Sequence, residues 1–143
     1  ASYDVWRDSP LRLLGYSNEV GEAFRPMTST AVVRSSYGLA FAYVCADTVD
    51  KGQKAQLALK ANPSDTTLPS VPVVMGKTLL WQTLASVVIP GFTINRVVVG
   101  IGAYMVRSGR TPGIIPTAVG LATIPFIVKP IDHGVDTLMS LFD

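Results

Sequence analysis

Thr78–Asn95 reads TLLWQTLASVVIPGFTIN, eighteen consecutive residues without an Asp, Glu, Lys or Arg. A run of that length and character is what a helix needs to cross a hydrocarbon core of about 30 Å. Working outward, the apolar pattern reaches Val71 on one side and Arg107 on the other. As one helix those residues would extend roughly 55 Å, far more than that thickness. A break is therefore expected inside it. Pro90-Gly91 is the natural place, because proline removes a backbone donor and glycine tolerates a turn, while Thr93 or Asn95 is available to cap a second helix.

The same charge ruler finds Thr111–Val128, again eighteen residues without a charge, and a third apolar stretch, Thr28–Thr48, with Arg34 near its end. Arg34 is placed to snorkel to an interface. Tyr3–Arg25 carries too many charges to span. It puts Leu13, Val20 and Phe24 on one helical face and Asp8, Arg12, Glu19 and Glu22 largely on others, the pattern of a helix lying along a membrane surface. At the other end Ile131, Val135, Leu138 and Phe142 fall opposite Asp132, Asp136 and Ser140, with Pro130 suited to a first helical turn.

The fold expected is an all-α membrane protein with three to four short transmembrane helices and amphipathic interfacial helices at both ends. It is one membrane domain, residues 1–143. Its parts are an interfacial helix (3–25), a span (28–48), a polar loop (51–71), a span with a Pro-Gly break counted as one or two (72–107), a span (111–129) and an amphipathic helix (130–143).

Composition agrees, with 48% hydrophobic and 15% charged residues, outside the soluble average. Twelve basic residues against ten acidic ones are scattered singly, so the clustered footprint that nucleic acid requires is missing. Basic residues in both connections leave the topology open. Cys45 is the single cysteine, which excludes an internal disulfide and reads as a small buried hydrophobe. The chain begins at Ala1, which suits either a processed product or a piece of a longer protein, and no targeting peptide is read in it.

Little here supports catalysis. His133 beside Asp132 admits a proton relay, but an interfacial polar residue explains it better. Asp47 with Asp50, and Asp132 with Asp136, have the spacing of acid–base or cation pairs, yet solvation and helix-end capping account for them. No catalytic, cofactor or metal residue is assigned. The candidates are instead for helix packing or partner contact. Gly38, Ala42 and Ala46, and likewise Ala118 and Ala122, recur at four-residue spacing and let helix backbones approach closely. Pro90, Gly91, Asn95 and Arg96 complete the set. An Arg between long apolar runs is costly unless it faces a headgroup, water or a partner; if the helix continues through Pro90, Glu19 or Glu22 is the acceptor expected for Arg96. YGLAFAYVCADTVDKG from Tyr37 and VGLATIPFIVKPIDHG from Val119 share Gly-Leu-Ala and a closing Asp-x-Gly, an echo that duplication or coincidence explains equally well.

Four strings carry a family signal: LGYSNEVGEAFRP from Leu14, SYGLAFAYVCADTVDKGQKA from Ser36, WQTLASVVIPGFTINRV from Trp81 and GLATIPFIVKPIDHGVD from Gly120. Together, colinear over most of the chain, they resemble the mitochondrial fission process protein family; the loop between Ala61 and Val71 and the link around Arg107 do not. The resemblance implies a small integral protein of the mitochondrial inner membrane, tied to fission and membrane integrity, with no enzymatic residues to carry over. The chain looks shorter at its C-terminus than familiar members, which puts any role of a soluble tail in doubt.

Two functions from different classes follow. One is a non-enzymatic membrane organiser with a fission-related role. The other is an accessory structural subunit of a respiratory or photosynthetic supercomplex, with the plastid thylakoid as its alternative location. A carrier or channel ranks last. The partners expected are membrane lipids and other integral membrane proteins, with a large complex among them. No cofactor is expected beyond bound lipid, and pigment only in the photosynthetic case.

Overall fold

Asp4 opens the chain's first helical turn, α1 (Val5–Asp8), by accepting a hydrogen bond from the Trp6 N–H. Ser9 then caps a 3-10 segment, Pro10–Tyr16, with Pro10 in its first turn, where a missing N–H costs nothing. α2 (Ser17–Phe24) follows directly. A short 3-10 turn, Arg25–Met27, leads to Ser29, which caps α3 (Thr30–Ala61) by accepting from the Val32 N–H. Beyond the connection at 62–70 come α4 (Val71–Gln82), a π-helical segment (Thr83–Val88) and α5 (Ile89–Arg107), continuous with one another, and then α6 (Ile115–Ser140). The computed structural model describes residues 3–142, and no strand occurs among them.

α3, the long α4–π–α5 helix and α6 run alternately up and down. The N-terminal arm, residues 4–24, lies in the groove between them, with α2 packed against α3, α5 and α6. Three apolar clusters mark the contacts. Ala23 meets Ile94, Val98 and Ile124; Ala40, Tyr43 and Val44 meet Val87; Trp81 and Ala85 meet Val135 and Met139.

The long helix does not break at Pro90-Gly91. Proline lacks an N–H and its ring crowds the carbonyl four residues back, here that of Ser86. The turns just before Pro90 widen into the π form, so that the Ile89 N–H reaches back to the Leu84 carbonyl, and the helix absorbs the proline instead of ending. α5 stops at Arg107 in a Schellman arrangement. The Arg110 N–H bonds the Met105 carbonyl and the Gly109 N–H that of Val106, with Gly109 at φ 77°, a conformation that glycine adopts without strain.

Other boundaries also differ from expectation. α3 continues to Ala61, so the first half of the expected polar loop is helix, ended by Asn62 before Pro63. α6 runs through Pro125 and Pro130, which merges the last span with the amphipathic end and leaves no separate interfacial helix there. Two helices among the described residues, Val71–Arg107 and Ile115–Ser140, are long and apolar enough to cross a membrane. The expected third, 28–48, is not one of them, since Arg34, three serines, two tyrosines and Asp47 dilute it.

The N-terminal arm shows the largest difference. Its polar side is turned into the bundle, where Arg12, Asn18, Glu19 and Glu22 are buried, while Leu13, Val20 and Phe24 face outward. It is an interior element and not a helix resting on a surface.

Candidate functional site

Arg12 is the centre of a buried polar seam. Its guanidinium pairs with Asp132 on α6 at 2.9 Å and donates through Nη1 to Ser86 Oγ at 2.5 Å. Ser86 in turn donates to Gln82 Oε1 at 2.5 Å, and Gln82 Nε2 donates to Asp47 on α3 at 2.7 Å. Asp47 is held on its other side by Lys51 at 2.6 Å, and Lys51 also reaches Asp4 at 2.9 Å. One chain of polar contacts therefore links the N-terminal arm to all three long helices.

The π segment explains why the arm docks where it does. Widening the helix turns main-chain carbonyls out of their usual i→i+4 bonding. The Ala85 carbonyl lies 3.4 Å from Arg12 Nη2, and the Val87 carbonyl accepts from Asn18 Nδ2 at 3.0 Å. Buried carbonyls left without donors are costly, so the arm and the π segment complete each other. Gly91 follows at the same contact, where an added Cβ would lie 2.8 Å from both Asn18 Nδ2 and the Tyr37 hydroxyl.

A second polar node surrounds Glu22. It accepts two bonds from Arg25 at 2.7 and 2.9 Å, one from the Tyr37 hydroxyl at 2.5 Å and one from Asn95 Nδ2 at 3.0 Å. Burial pushes its carboxyl upward, but these donors outweigh it and hold the group below the usual carboxylate range. At the other end of the arm, the Trp6 indole donates to Asp50 at 2.9 Å and the Tyr43 hydroxyl donates to the Trp6 carbonyl. Trp81 donates to Asp136 at 2.7 Å, with the Arg7 guanidinium stacked 3.4 Å above its ring.

A family model described as Mitochondrial 18 KDa protein (MTP18) matches residues 7–68 and 60–139, two overlapping stretches that include every member of the seam except Asp4. The chain belongs to this family. Mitochondrial fission process protein 1 of Danio rerio is 48% identical over 140 residues, covering 95% of this chain and 84% of that protein. The Homo sapiens protein of the same name is 47% identical over 143 residues, covering 97% and 85%, and that of Caenorhabditis elegans is 46% identical over 140, covering 95% and 84%. No solved structure matches. Membership in a mitochondrial family lends nothing to the thylakoid alternative.

Within this MTP18 family member the residues picked out by sequence separate into two groups. Pro90 and Gly91 are buried at the arm's docking surface, and Asn95 binds Glu22. Arg96, in contrast, does not reach Glu19 or Glu22; it stays exposed, bonded to Asn95 Oδ1 and 5.8 Å from the Phe92 ring centre. Gly38, Ala42, Ala46, Ala118 and Ala122 all face outward, so these small-residue stripes make no helix packing within the chain. The close approaches fall elsewhere, at Gly21 against Ser36 and at Gly120 against Val98 and Ala23. Gly120 and Gly38, aligned in the internal echo, thus have opposite surroundings. Cys45, expected to be buried, is exposed.

Arg12, Gln82, Ser86 and the role of Asn18 were not singled out by sequence. One signal was available: Gln82 and Ser86 stand four residues apart on one face of a charge-free run, where polar side chains need partners. The acidic pairs divide between bonds within the seam and bonds at its edge, and the described residues hold no group of three His, Cys, Asp or Glu side chains placed for a metal ion.

Proposed function

We propose that the chain is a non-enzymatic, multi-pass protein of the mitochondrial inner membrane that takes part in organelle fission by organising the bilayer and its protein neighbours. The observation that carries this reading is the inside-out polarity of a chain whose relatives are named for the fission process. Arg12, Asn18, Glu19, Glu22, Asp47 and Gln82 lie inside, while many large apolar side chains face out, with Phe126 77% and Phe92 66% exposed. Water would penalise that arrangement, whereas a hydrocarbon solvent favours it. Most of the two long apolar segments also remains unburied within the chain, with 39% and 22% of their most apolar windows covered.

The seam supports the non-enzymatic side. Most of its donors and acceptors are engaged with one another, Arg12 Nε being an exception, and the Arg12–Asp132 pair acts as a lock between elements. The inner-membrane placement rests on the family resemblance. Two measurements test the proposal. The chain should remain in the pellet when mitochondria are washed at alkaline pH, and cells depleted of it should show altered organelle length when division is provoked, with rescue by the wild-type chain. Release by the alkaline wash defeats the membrane part. Unchanged morphology after complete depletion defeats the fission part.

A further inference from the structure

A cleft of about 550 Å³ opens between α5, the start of α6 and the turn after α2, within the size range of small-molecule sites. Its walls are apolar, formed by Val98, Val99, Ala103, Val106 and Pro116, and its polar rim includes Arg25 and Arg107. Gly102 lies on its lining, where an added Cβ would come no closer than 3.9 Å to Pro116, so the absence of a side chain there keeps the cleft open. No carboxylate lines it.

Charge pairing differs between the ends of the bundle. Around the arm's beginning, cations meet acids: Lys51 with Asp4 and Asp47, Lys54 with Asp50, and Arg7 with Asp4 and Asp136. Around the cleft, Arg107 and the nearby Arg110 form no ion pair among the described residues. Arg25 gives Nε and Nη2 to Glu22, which leaves Nη1 as a donor. Arginine suits a phosphate because its fork of N–H groups matches two oxygens at once.

We propose that this cleft binds an acidic phospholipid, with its phosphate between Arg25 and Arg107 and an acyl chain along the apolar wall. Apolar walls with an excess of positive charge at the rim are complementary to a phosphodiester that carries a hydrocarbon tail, and a basic pocket between membrane helices is a recurrent headgroup site. The proposal rests on the membrane reading above and adds a ligand class to it.

The test uses the full chain in neutral detergent, offered phosphatidylglycerol or phosphatidylcholine with the same acyl chains, and reads lipid retention by native mass spectrometry. Phosphatidylglycerol should be retained in preference. Arg107→Gln should weaken its retention about fivefold, the effect of one cationic contact near a lipid phosphate, while Arg107→Lys keeps most of it. Ala103→Phe fills the cleft at constant charge and should also reduce retention. Both positions are exposed, and circular dichroism melts establish that each variant is folded. Equal retention of the two lipids overturns the proposal, as does a preference that survives both Arg107→Gln and Ala103→Phe. Competition by soluble glycerophosphate as effective as that by the lipid overturns it in favour of a free-phosphate site. A chain that resists alkaline extraction but shows no lipid preference overturns this proposal and leaves the membrane reading standing.

Discussion

Glu19 is fully buried on α2, and neither of its carboxyl oxygens has a hydrogen-bond partner. Burial is the main cause that pushes its pKa from 4.5 up to about 8; Arg12 opposes the shift and Asp132 adds to it. The folded chain therefore holds a proton that the unfolded chain releases, and stability falls as the pH rises from 4.5 towards about 8, then levels off. Glu19→Gln should remove that slope. Thermal melts of the two chains in detergent should differ little near pH 4.5 and separate progressively up to about 8; parallel curves would refute this. Arg12 offers a second check. Removing one partner of a buried ion pair strands the other, so Arg12→Ala should cost about 3–5 kcal/mol. The paired replacement Arg12→Met with Asp132→Leu should cost clearly less, as read from denaturant melts. At this scale the sequence was only partly legible. Asn95 and Gly91 could be suspected because each interrupts an apolar run, whereas Arg12 looked like one more charge on a polar face, and nothing local says that this face turns inward.

Helix packing depends on where glycine leaves room. A Cβ on Gly120 would lie 2.8 Å from Val98 Cγ2 and 3.4 Å from the Ala23 main chain, so Gly120→Val should push α2 off α6 at a cost of about 1–3 kcal/mol. Gly38 meets nothing within 4 Å, so Gly38→Ala should be neutral or stabilise by up to about 1 kcal/mol through helix propensity. Equal melting temperatures for the two variants would contradict this assignment of faces. The existence of the two apolar helices could be read from charge-free runs alone, because a missing charge is a property of each position. Their ends were harder. Pro90 suggested a break and Pro130 a start, but the π widening and the packing of α6 on the long helix keep both inside helices. The polar stretch after Asp50 looked like a loop, yet Lys51 and Lys54 bond Asp47 and Asp50 one turn earlier, the i,i+4 pairing that supports a helix.

Over the whole molecule, a buried polar seam runs beside the apolar clusters while many large apolar side chains face out, and the N-terminal arm joins that seam to all three long helices. If the arm were absent, Ser86 would lose Arg12, and the Ala85 and Val87 carbonyls would lose their side-chain donors. Deleting residues 1–24 should therefore speed amide hydrogen exchange across residues 82–91 more than across the far end of α5, measured by mass spectrometry in detergent; uniform protection would show that the arm is dispensable to the bundle. The all-helical fold and its two long apolar helices were legible at this scale from composition and the charge-free runs, and the family from four strings. The arm's place in the middle was not, because it depends on contacts between residues up to 129 positions apart.

That separation has a consequence for how the protein is made. Asp132 follows Arg12 by 120 positions, so on the ribosome the guanidinium is made long before its counter-charge. Until α6 is made, the guanidinium has the Ser86 hydroxyl and the Ala85 carbonyl to bond but no Asp132 to neutralise it. The ion pair that locks the arm to α6 therefore forms only once α6 has been delivered.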